Sequence, residues 1–108
     1  KEIKEFAESI IGKPLDYDIN DLRQSYTFKV KAINSVPQAI ACFLDGNDFE
    51  DVLRKSISIG GDSDTIGAIA GAIAGAYYGV PKTIGEEALN FLDKRLLDVL
   101  NRFEEKYL

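Results

Sequence analysis

Asp62, Ser63, Asp64 and Thr65 follow Gly60-Gly61, and from Thr65 to Val80 the chain carries no charge. Two carboxylates and a hydroxyl this close in sequence converge on one point when the backbone turns from loop into helix. Hard oxygen donors of this kind select Mg²⁺ or Mn²⁺, and Ca²⁺ less specifically. The same residues also suit a purely structural use. Asp62 is a good helix N-cap, and acids in a first turn match the helix dipole. The spacing is not that of an EF-hand loop, and no Gly-Lys-Ser/Thr phosphate loop is present.

The rest of the composition removes other chemistries. The 108 residues contain no His, which excludes His-based triads, imidazole bases and the usual zinc sites within this chain. One cysteine, Cys42, allows no internal disulfide and no Cys-rich metal site. Its place beside Ala39 and Phe43 on an apolar face reads as a core thiol, with no His to activate it. Apolar residues make up 45% and charged residues 29%, an ordinary globular mixture. The net charge of −5 argues against a nucleic-acid backbone binder. No signal peptide is visible, and a reducing, cytoplasmic setting fits the cysteine usage. The chain opens on Lys1 and contains no Met, so the expectation is a trimmed start or a piece of a longer protein.

The elements that must position these residues are helices nearly throughout. Ile3, Phe6, Ala7, Ile10 and Ile11 recur at helical spacing, and Gly12 with Pro14 stops that run. Asp18 can cap a short helix through Leu22. Ser25 to Ile33 alternates polar and apolar residues; without a strand partner elsewhere it reads as an extended connector. Asn34 or Ser35 caps a helix with Pro37 in its first turn, ending at Gly46 in a left-handed C-cap. Asn47 caps the next, which bears Phe49, Val52, Leu53 and Ile57. After Gly60-Gly61 a long helix spans about 62–78, stopped by Gly79 and Pro81. A turn and short helix reach Leu89. A last helix places Leu92, Leu96, Val99, Leu100 and Phe103 on one face, with a solvated charged face over Glu86 to Lys106.

The long helix has glycine at 67, 71, 75 and 79, with Ala68, Ala72 and Ala76 beside them. Each interior glycine costs roughly 1 kcal/mol of helix stability against alanine. Close approach of a neighbouring backbone offsets that cost, so this helix is expected at the centre of a tight bundle. The Gly-x-x-x-Gly pattern also occurs in membrane helices. Here the uncharged run, Thr65 to Val80, falls short of the ~20 residues needed to span.

Gly60-Gly61-Asp62-Ser63-Asp64-Thr65, the Ile/Ala/Gly helix and Ala76-Tyr77-Tyr78-Gly79 together resemble the C-terminal signature of the ADP-ribosylglycohydrolases. That family includes the dinitrogenase-reductase-activating and ADP-ribosyl-acceptor hydrolase types. The segment from Ser35 to Leu44, then Asn47 to Glu50 and Val52 to Ile59, is similar to the two helices before that signature. The resemblance covers roughly residues 25 to 90. It implies an all-α compact helical bundle and a binuclear Mg²⁺ or Mn²⁺ site. It further implies hydrolysis of the glycosidic bond between ADP-ribose and a protein side chain or small acceptor. By motif match, Asp62, Asp64 and Thr65 are its metal ligands. Gly61, Ser63 and Tyr78 are candidate substrate-binding residues, Ser63 as a possible partner of a ligand phosphate at the helix start. Lys29 and Lys31 are conceivable pyrophosphate contacts that nothing in the sequence selects.

The family's Gly-rich opening and its Thr-Asp-Asp-Thr-type motif have no match here. Asp16-Tyr17-Asp18 and Asp45-Gly46-Asn47-Asp48 do not resemble the latter. The expectation is therefore that 1–108 is the C-terminal portion of one domain whose N-terminal half is absent. The catalytic residue would lie in that half, supplied in cis or in trans, and the 108 residues alone would not turn over substrate. Core faces left open predict a partner chain or self-association. A second class stays open: a non-catalytic helical remnant or split subunit that binds metal, ADP-ribose or only a partner. A plain helical module, with Asp62 and Asp64 as caps, is a third.

Overall fold

The computed structural model describes residues 1–25 and 32–108. Seven α-helices are present among them: α1 (Glu2–Ile11), α2 (Ile19–Ser25), α3 (Val36–Asp45), α4 (Phe49–Ser58), α5 (Ser63–Tyr78), α6 (Lys82–Leu89) and α7 (Lys94–Tyr107). A 3₁₀ turn, Ala32–Asn34, leads into α3. No strand occurs among the described residues, so the all-α expectation holds. The connector expected over 25–33 falls largely on residues outside those described. Among the described residues no helix is long and apolar enough to cross a membrane.

The core is built from α3, α4 and α5 packed on one another. Ala39, Cys42 and Phe43 of α3 meet Phe49 and Val52 of α4 and Ile66, Ala70 and Ala74 of α5, all buried. Ile19 and Leu22 of α2 close one side. Ile66 and Ile59 are almost fully enclosed, each contributing about 1.5–3 kcal/mol of burial free energy.

Three glycines of the stripe, Gly67, Gly71 and Gly75, face side chains of α4, while the backbone contact expected for the stripe is not made among the described residues. A Cβ at Gly67 would lie 3.6 Å from Ser56 Oγ, and one at Gly71 3.1 Å from Leu53 Cδ2. One at Gly75 would lie 3.2 Å from Val80 Cγ2 and 3.6 Å from Phe49 Cε2. Ser56, Leu53 and Phe49 recede along α4 as the glycines advance along α5, so the two helices run antiparallel, with side chains of α4 against the stripe. The other side of α5 is open: Ala68, Ala72 and Ala76 face solvent.

Two local expectations are corrected. Gly46 is not a left-handed cap; its φ is −80° and its ψ 152°. Glycine is required there by space, because a Cβ would overlap the Val52 Cγ2 methyl. Asn47 is not the cap of α4. Asp48 takes that position and accepts from the Asp51 amide at 2.8 Å, while Asp51 Oδ2 accepts from the Asn47 amide at 3.0 Å. A carboxylate at the N-cap accepts a first-turn amide that has no partner within the helix.

The outer helices are amphipathic but unburied. No residue of α1, α6 or α7 is buried. Ile3, Phe6 and Ile10 on α1, and Leu96, Val99, Phe103 and Tyr107 on α7, are exposed. The radius of gyration is 15.1 Å, against about 13 Å for a compact chain of this length.

Candidate metal centre

The turn that delivers Asp62 to the head of α5 depends on Gly60 and Gly61, at φ 78° and 66°. Both sit in the left-handed region, where a side chain is strained. The Gly60 amide donates to Ile57 O at 3.1 Å, closing the end of α4. The Ser63 amide then donates to Gly61 O at 2.9 Å, and the Ile66 amide to Asp62 O at 3.0 Å, which starts α5.

Asp62 occupies the N-cap position of α5 at φ −80° and ψ 64°, but its side chain makes no capping hydrogen bond. That separates it from the other aspartates at helix starts. Asp48 caps α4 through the Asp51 amide, and Asp93 caps α7 through the Leu96 amide at 2.9 Å. The Asp62 carboxyl instead sits beside that of Asp64. This contact, with the Thr65 amide next, holds the Asp64 carboxyl below the usual carboxylate range. The Thr65 amide donates to Asp64 Oδ1 at 3.0 Å. Neighbouring carboxylates offer hard oxygen donors to a divalent cation.

Both groups are open to solvent in part. Asp62 and Ser63 are half-buried, and Gly61, Asp64 and Thr65 are exposed. Asp62, Ser63, Asp64 and Thr65 are thus brought together at one helix end, as the sequence suggested. The oxygen-only donor set fits Mg²⁺ or Mn²⁺ better than a softer metal. It is also small: among the described residues no group of three or more His, Cys, Asp or Glu could hold a metal ion.

Tyr78 is not brought to this cluster. It ends α5, about 22 Å from Ser63 at 1.5 Å rise per residue. Its hydroxyl donates to Gly46 O at 3.1 Å, tying the end of α5 to the α3–α4 turn. Its ring joins Phe43 and Tyr77, with centroid separations of 6.1 Å and 4.9 Å. Sequence periodicity carries no signal for this aromatic cluster, because its members come from two helices. Cys42 is fully buried, and burial pushes its thiol up to about 11, so it stays protonated and inert. Lys29 and Lys31 lie outside the described residues.

A family model described as ADP-ribosylglycohydrolase matches residues 2–107. ADP-ribosylhydrolase ARH3 of Mus musculus is 40% identical over 84 residues, covering 65% of this chain and 23% of the relative. The Homo sapiens ARH3 is 48% identical over 62 residues, covering 47% of this chain and 17% of the relative. The ADP-ribosyl-[dinitrogen reductase] glycohydrolase of Rhodospirillum rubrum is 31% identical over 81 residues, covering 74% of this chain and 26% of the relative. The chain thus spans about a quarter or less of the length of these relatives. No solved structure matches it significantly.

Proposed function

The chain belongs to the ADP-ribosylglycohydrolase family, and we propose that it is the C-terminal portion of a hydrolase that releases ADP-ribose from a protein side chain or small acceptor. Its contribution is one side of a binuclear Mg²⁺ or Mn²⁺ centre. Asp62 and Asp64 hold the cations through their carboxylates, and Thr65 adds its hydroxyl. The observation that carries this reading is the Asp62 side chain. It leaves the helix it heads uncapped and lies against Asp64.

Both groups stand at the head of a sixteen-residue helix, where the dipole favours negative charge. Gly61 and Ser63 line the same helix end, where amides favour an anionic group of the substrate. A divalent ion, when bound, supplies Lewis-acid stabilisation of developing charge and orients the ribose hydroxyls. This chain's part is to fix the ligands on a rigid helix, itself clamped by α4 through the glycine stripe. Tyr78 is assigned to that scaffold rather than to substrate.

Two carboxylates and a hydroxyl are too few for two octahedral ions. The remaining ligands and the catalytic residue belong to a complementary portion of the domain. We assign to that portion the open side of α5 at Ala68, Ala72 and Ala76, and the apolar faces of α1 and α7. The test is ADP-ribose release from an ADP-ribosylated peptide by the full-length protein. Metal-dependent release is expected. Asp62→Asn with Asp64→Asn should lower it at least about 100-fold, as for loss of a preorganised electrostatic group. Release by residues 1–108 alone would overturn the division of the site. Undiminished release by the double variant would overturn the role of the aspartates.

A further inference from the structure

We draw no further inference here: the strongest candidate, the apolar groove between α1, α3 and α5 lined by Ile3, Phe6, Ile10, Val36, Ile40 and Ile73, belongs to the surface already assigned to the complementary portion of the domain, and nothing in the structure shows a different occupant.

Discussion

Four aspartates stand at helix starts among the described residues, and they divide by what their side chains do; Asp18, before α2, accepts from the Asn20 amide at 2.7 Å. Asp48 and Asp93 bond to the amides of Asp51 and Leu96, while Asp62 turns to Asp64. Replacing Asp48 or Asp93 by alanine should therefore cost about 1 kcal/mol of stability. Asp62→Asn should cost nothing measurable, since no capping hydrogen bond is lost. Thermal unfolding of the three variants decides it; a loss at Asp62 equal to that at Asp48 would restore the capping reading. The choice between cap and ligand was open in the sequence, because both uses want Asp after glycine. The structure adds a backbone ψ of 64° at Asp62 and no capping hydrogen bond from its side chain, neither of which a residue type announces.

Cys42 gives a second residue-scale test. Its thiol is raised to about 11 in the fold, above the ordinary value near 8.5. The folded form therefore holds its proton longer than the unfolded one. The resulting stability is complete below about pH 8.5 and is lost as pH climbs through about 11. Iodoacetamide should leave native Cys42 unmodified at pH 8 and alkylate it readily in denaturant. Fast native alkylation would show that the α3–α4 core opens.

Among elements, α4 and α5 decide the geometry of the site, since α5 carries it and α4 fixes α5. The stripe makes graded predictions. Gly67→Ala adds a methyl at ordinary contact distance from Ser56 and should be neutral or stabilising by up to about 1 kcal/mol. Gly71→Leu must displace Leu53 and should destabilise by roughly 1–3 kcal/mol. Denaturant titration of both variants measures the difference; equal tolerance would mean that α4 and α5 are not held in close contact. This pairing was legible in part. The four-residue glycine period announced a tight neighbour, whereas the neighbour's identity depends on tertiary register. Helix ends were legible wherever a glycine or proline stops the pattern, as at Gly12, Gly79 and Pro81. Gly46 misled because glycine also serves where there is no room for a Cβ, and only Val52 across the turn reveals that.

For the molecule as a whole, the exposed area is 7552 Å². A compact monomer of 11.9 kDa would expose about 5,900 Å². Helices α1, α6 and α7 contribute to the excess, since none of their residues is buried. Their amphipathic patterns were plain in the sequence, but amphipathicity states that a face is covered and not by what. Residues 1–108 expressed alone should bind a hydrophobic dye and self-associate, and the complementary portion of the domain should suppress both. A dye-silent monomer would contradict the assignment of those faces.

The central claim is that Asp62 and Asp64 hold divalent cations for an ADP-ribosyl hydrolase. The most direct measurement is Mn²⁺ binding by the full-length protein, followed by calorimetry and by the melting temperature, for the parent and the Asp62→Asn/Asp64→Asn variant. The parent should bind Mn²⁺, gaining about 2.7 kcal/mol of stability at a concentration 100 times Kd. The variant should fold normally and lose both signals. Mn²⁺ binding and stabilisation undiminished in the variant would place the ions elsewhere and return Asp62 and Asp64 to a structural role.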